Sequence, residues 1–125
     1  DFWIILCESI KEWNLVFNKE LTPRDLRANY IVGHGVFIEA VGLVGKYLRN
    51  NHNGQWEDYI KKLGSVDWNR TNTDDWLGRA FTPNGRIQKT SSTIQLTANK
   101  IKQLIDLPLT ELEQQLEDKF FKGGI

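Results

Sequence analysis

Along most of this chain apolar residues return every three or four positions, and that period commits it to helices. In the first segment Phe2, Leu6, Ile10, Trp13 and Phe17 form such a stripe, while Glu8, Lys11, Glu12 and Lys19 fall off it. The spacing predicts one amphipathic helix with a wide apolar face. Leu21-Thr22-Pro23 interrupts it: Thr22 suits a cap, Pro23 the first helical position, and Asp25 the positive first turn. A second helix is predicted from Pro23 to Leu48, with Leu26, Tyr30, Gly33, Phe37, Val41, Val44 and Leu48 as its core stripe. It carries Gly33, Gly35, Gly42 and Gly45. A glycine costs roughly 1 kcal/mol against alanine in a helix interior. That load implies the close approach of another backbone, or a kink.

Arg49 to Gly54, including His52 and Asn53, reads as a polar turn. A short third helix follows with Trp56, Tyr59, Ile60 and Leu63 on one face and Gly64 as its cap. Val66 to Asn72 reads as a loop. Thr73 then caps a fourth helix over Asp74, Asp75, Trp76 and Leu77. Thr82-Pro83-Asn84-Gly85 signals a turn, and Arg86 to Lys89 a short extended piece. Ser92 and Gln95 have capping-box spacing for a fifth helix. Its core stripe is Ile94, Ala98, Ile101 and Ile105, and Leu107-Pro108 stops it. Thr110 and Glu113 open a sixth through Phe121, and Gly123-Gly124 is read as the end of the domain. The expected fold is all-α, a five- or six-helix globular domain with one long glycine-bearing central helix.

Composition excludes several functions. The 125 residues carry 16 basic and 16 acidic side chains, so no bulk charge is available to bind a polyanion. No apolar run approaches the 18 or so residues of a membrane span. Cys7 is the sole cysteine and has no partner for an internal disulfide. These features point to a soluble, cytoplasmic domain. The chain has no methionine and opens on Asp1-Phe2-Trp3 inside a helix, which reads as a single domain, residues 1–125, cut as the C-terminal part of a longer protein.

Charge is uneven locally. Between Trp76 and Ile105 lie Arg79, Arg86, Lys89, Lys100 and Lys102 with no acid; between Asp106 and Asp118 lie five acids with no base. The basic segment is the candidate phosphate site, with Lys89-Thr90-Ser91-Ser92 entering a helix N-terminus. Gln95, Asn99 and Lys102 share one helix face turned away from Ile94 and Ile101. An equally good reading pairs the segment with the acidic sixth helix. Docking that sixth helix as the recognition helix of a helix-turn-helix is excluded, because its acids would repel phosphates. His34, His52 and Cys7 have no zinc-ligand spacing, and no metal or cofactor is expected. His34 reads as a hydrogen-bonded structural residue, and Asp74-Asp75 as helix-start acids. Trp68 and Trp76 beside Arg70 and Arg79 read as core anchors in preference to base-stacking residues. The sequon spelling Asn69-Arg70-Thr71 carries no weight without secretion. Phosphate-loop, nucleophile-elbow and HExxH motifs are absent.

Several short segments, in order, carry a resemblance. They are Arg27-Ala28-Asn29-Tyr30-Ile31-Val32-Gly33-His34-Gly35, Asp67-Trp68-Asn69-Arg70, Trp76-Leu77-Gly78-Arg79-Ala80, Gly85-Arg86-Ile87 and Leu96-Thr97-Ala98-Asn99-Lys100-Ile101-Lys102. From Thr22 to Glu117 the chain resembles the C-terminal helical region of the DndB family, DNA-sulfur-modification-associated proteins with a DGQHR-type N-terminal domain. The Asp-Gly-Gln-His-Arg motif itself is absent, as expected of a C-terminal domain.

The resemblance implies a DNA-binding negative regulator of the genes for DNA phosphorothioation, and not the sulfur-transferring enzyme. DNA, met through residues 79–102, and other proteins of that system would be its partners. Arg79, Arg86, Lys89, Lys100 and Lys102 are then the expected phosphate contacts. An alternative is a protein-interaction or homo-oligomerisation module without DNA contact, built on the glycine-bearing helix. A third reading, an enzyme domain to which His34 and Arg70 contribute slightly, ranks last.

Overall fold

The computed structural model describes residues 2–51, 54–82, 84 and 86–122. Among them are eight α-helices and no named strand: α1 (Phe2–Ser9), α2 (Lys11–Phe17), α3 (Pro23–Asn29), α4 (Gly35–Asn51), α5 (Trp56–Lys61), α6 (Thr73–Trp76), α7 (Ser91–Leu104) and α8 (Glu111–Phe121). The fold is all-α, as the period requires. The helix count rises because two of the expected helices are each broken once.

The first break is at Ile10, whose backbone leaves the helical region at φ −86° and ψ 105°. Its amide still reaches Leu6 O at 3.1 Å and its carbonyl accepts from Asn14 N at 3.3 Å, so hydrogen bonds flank the bend on both sides. The second break corrects the expected helix from Pro23 to Leu48. Tyr30 is extended and bridges Asn69, while Ile31 N donates to Trp68 O at 3.0 Å and Arg70 N to Asn29 O at 2.9 Å. A 3₁₀ turn over Ile31–Gly33 and an extended His34 then lead into α4. The cause is a long-range pairing with the Trp68–Arg70 segment, which no local period announces.

Gly33 makes this turn feasible. A Cβ there would stand 3.1 Å from backbone atoms of Leu26 and Arg27. By contrast, a Cβ on Gly42, in the middle of α4, meets nothing within 4 Å. Gly33→Ala should therefore destabilise the protein by roughly 1–3 kcal/mol through overpacking. Gly42→Ala should stabilise it, by up to about 1 kcal/mol, through helix propensity. Urea unfolding of both variants checks this; shifts of the same sign would contradict it.

Helices α4 and α7 form the centre. Lys89, just before α7, lies 3.5 Å from where a Gly35 Cβ would stand at the start of α4, and Lys102 near the end of α7 sits over the Tyr47 ring near the end of α4, so the two helices run parallel. Phe37, Val41, Val44 and Leu48 of α4 share a core with Ala98 and Ile101 of α7, Ile105 at its end, and Leu6, Ile10, Ile60 and Leu63. An aromatic column runs through it. Trp13 meets Phe37 edge-on at 5.7 Å, Phe37 meets Trp68 at 5.0 Å, and Trp68 stacks on Trp76 at 5.3 Å.

The caps are part confirmed, part corrected. Thr22 accepts from Asp25 N at 3.1 Å, and Thr110 with Glu113 forms the expected box. The box of α7 is Thr90 with Thr93, not Ser92 with Gln95, because the helix starts at Ser91 and Ser92 already lies inside its first turn. Asp106, in the left-handed region at φ 68°, ends α7 before Pro108 is reached; Leu107 N closes back on Lys102 O at 2.8 Å. Gly64 lies inside a 3₁₀ turn over Lys62–Ser65 and does not cap α5. Thr73 is the first residue of α6 and makes no cap bond. Ile87 makes an isolated bridge with Phe81 in place of an extended strand. His52, Asn53, Pro83, Gly85, Gly123 and Gly124, and so the full turns proposed on them, lie outside the described residues. Among the described residues no helix is long and apolar enough to cross a membrane.

Candidate nucleic-acid interface

The five basic residues do not share one surface. Arg79 is 3% exposed and forms a fork with Glu117, Nη1 to Oε2 at 2.8 Å and Nη2 to Oε1 at 2.6 Å. Its Nη1 also donates to Leu96 O at 2.8 Å, and its guanidinium lies 4.6 Å from the Phe120 ring centre. Lys102 is 2% exposed, donates to both Glu113 oxygens at 2.8 and 3.0 Å, and sits 3.7 Å over the Tyr47 ring. Asn99 donates to Glu117 Oε2 at 3.1 Å and to Glu113 O at 3.3 Å. The Gln95, Asn99 and Lys102 face therefore packs on α8. Arg79 and Lys102 are corrected from phosphate contacts to structural ion pairs: a buried cation already neutralised cannot reach a phosphate without opening the α7–α8 contact.

Arg86, Lys89 and Lys100 remain nearer the surface. Lys89 pairs with Glu39 at 3.2 Å, and Lys100 with Asp75 at 3.3 Å. The Lys89 pair is exposed and opens at little cost, while the Lys100 pair is half-buried. Arg86 is exposed and has no ion pair among the described residues.

Other candidates resolve into structure. Trp68 and Trp76 are buried, and their indoles donate to Leu63 O at 3.1 Å and Asp67 O at 2.9 Å. Asp75 accepts from Asn72 at 2.8 Å and pairs with the Lys100 ammonium at 3.3 Å. Among the described residues no group of three or more His, Cys, Asp or Glu could hold a metal. His34 Nε2 lies 2.6 Å from Arg27 O, and since a carbonyl only accepts, that nitrogen carries the proton.

Burial pushes the His34 imidazole below its ordinary value of 6.5; its bond to Arg27 O opposes this, and the charges of Arg27 and Arg70 add to the lowering. For Glu113, burial raises the carboxyl, but hydrogen bonds from Lys102 and the Thr110 backbone outweigh it and leave it below the ordinary glutamate value. Both folded values are depressed. Each group's stabilisation is thus complete above its unfolded value and lost as pH falls through its folded one. Stability should begin to decline as pH drops below 6.5, and His34→Gln should remove that first decline while keeping the acid limb to which Glu113 contributes. Urea titrations across pH check this; equal declines in both proteins would contradict it.

A different surface combines cations with accessible aromatic rings. On α4, Gly42, Gly45, Lys46 and Arg49 follow one another at helical spacing on a single face. With Phe2 and Trp3 of α1 and Trp56 of α5 they line an open cleft of about 430 Å³. The Phe2 ring lies 2.7 Å from where a Gly45 Cβ would stand, so the missing side chain seats that ring. Phe2 meets Trp3 edge-on at 5.1 Å and lies 6.1 Å from Trp56. Lys46 and Arg49 are exposed and have no ion pair among the described residues. Sequence reasoning noticed the glycines but not the two cations sharing their face. The aromatic walls come from distant segments, which no local pattern connects to α4.

Fold and surface together define a class: an all-α protein with a buried ionic seam and an aromatic cleft lined by two cations. The chain belongs to the DndB family, whose model, described as DNA-sulfur modification-associated, matches residues 1–108. Membership links this protein to DNA sulfur modification. The match starts earlier than the resemblance noted in the sequence and stops before α8. No curated protein and no solved structure matches the chain.

Proposed function

We propose that this domain is a non-enzymatic, DNA-contacting part of a DndB-like regulator, adding phosphate contacts that support repression of the sulfur-modification genes. The observation that carries this reading is the pair Lys46 and Arg49, exposed and without an ion pair among the described residues, beside accessible tryptophan. Long cations with no acid to neutralise them are the side chains from which phosphate contacts are built. Arg86, Lys89 and Lys100 are secondary contacts in the same proposal. Substituting Arg79 or Lys102 would report on folding and not on contact.

Each phosphate contact contributes about 0.9 to the slope of log affinity against log salt. Anisotropy titration of a fluorescent duplex at rising salt should therefore show a slope lower by about 1.8 for Lys46→Ala/Arg49→Ala. An unchanged slope in that variant overturns the assignment.

A second reading is favoured by Trp3, Ile4 and Phe17, which are 46%, 57% and 63% exposed on α1 and α2. Apolar side chains left so open suit a protein partner or a second copy of the chain. Growth of particle size with concentration in light scattering, together with no DNA binding at low salt, would make that reading the better one.

A further inference from the structure

We infer that the cleft between α1, α4 and α5 takes an unstacked base of a single DNA strand, with the adjoining phosphates on Lys46 and Arg49. This rests on the proposed DNA contact and specifies the form of DNA. Base pairs inside a duplex are stacked on both faces and offer a protein only edges and backbone. Rings placed in a cleft beside cations are instead complementary to a base whose π-face is free. Here the rings are Trp3, half exposed, Trp56, and Phe2 between them. The volume of about 430 Å³ lies in the range of small-ligand sites.

The α4 face explains why strand and cleft fit together. Gly45 lets the Phe2 ring sink against the helix and form the floor. Gly42, where a Cβ would meet nothing within 4 Å, leaves the neighbouring stretch of helix bare. Lys46 and Arg49 follow on the same face and line the cleft together with the rings. An acidic peptide would use the cations but leave the rings idle, and an apolar ligand would do the reverse. A nucleotide unit uses both.

The test compares a short oligothymidylate with a duplex of equal length at one salt concentration, by anisotropy and by quenching of tryptophan fluorescence. The single strand should bind more tightly and quench. Stacking of a base on an aromatic side chain is worth about 1–3 kcal/mol, so Trp56→Ala should weaken the single strand by roughly five- to 150-fold while leaving duplex affinity and salt slope nearly unchanged. Trp56→Phe should restore most of the loss. Gly42→Leu, which fills the cleft from a position with open space and favours the helix, guards against a misfolded Trp56 variant and should also abolish the single-strand preference.

Equal binding of both DNA forms, or a Gly42→Leu protein that still prefers the single strand, overturns the inference while leaving the duplex contact standing. Thymidine monophosphate binding as tightly as the oligonucleotide would point to a free nucleotide and overturn the commitment to a strand. Failure to bind DNA of either form would overturn both proposals.

Discussion

Arg79→Ala should cost about 3–5 kcal/mol of folding stability, the range for removing one member of a buried ion pair. The size follows from what is left behind. Glu117 is fully buried and would keep only the Asn99 amide at 3.1 Å, far too little to offset a carboxylate out of water. Glu117→Ala should cost a similar amount, because the guanidinium would then retain only Leu96 O and the face of Phe120. The double variant Arg79→Met/Glu117→Leu should recover most of the loss, since apolar groups of similar volume carry no desolvation penalty. Chemical unfolding of the three proteins gives the answer. A loss below about 1 kcal/mol in either single variant would show the pair to be solvated. Because α8 lies beyond the residues matched by the family model, this seam is also what ties α8 to the matched part of the chain.

The second large effect belongs to Trp68. It is 1% exposed, stacks on Trp76, receives Phe37 edge-on and donates to Leu63 O. Truncation to alanine removes all of these and leaves a cavity where α4, α6 and the Tyr30–Asn69 bridge converge. The expected cost is roughly 3–5 kcal/mol. Trp68→Phe should fall between, keeping ring contacts but leaving the Leu63 carbonyl without its indole donor. A Trp68→Ala protein as stable as one altered at an exposed site would mean that the aromatic column is not the support described above.

These two residues also show how far the sequence can be read. Trp68 and Trp76 were expected as core anchors because a small helical domain needs large buried side chains, and both are buried. The charge asymmetry of residues 76–118 was visible as well, but its meaning was not. A lysine in a phosphate contact and a lysine in an ion pair look alike until burial is known. The local caps Thr22 and Thr110–Glu113 were legible because every partner lies within four residues. The break at Tyr30–His34 was not, since its cause sits at Trp68–Arg70. Segments that carried the family resemblance turn out to be joints of the fold. Asn69 and Arg70 meet Asn29 and Tyr30, and Arg79 reaches Leu96 O. The cleft was legible only in part, as a glycine-bearing stretch of α4, because Phe2, Trp3 and Trp56 join it through tertiary packing.

The central claim is that DNA is met first at this cleft, with Arg86, Lys89 and Lys100 as secondary contacts only. The indole N–H resonances of the isotope-labelled protein test it most directly, because the tryptophans divide by environment. Trp13, Trp68 and Trp76 donate inside the fold to Val32, Leu63 and Asp67 carbonyls, whereas Trp3 and Trp56 line the cleft. On addition of oligothymidylate the indoles of Trp3 and Trp56 should shift while the other three stay in place. Shifts confined to Trp76, or to backbone amides of Arg86 to Lys100 with the cleft indoles unmoved, would contradict the account.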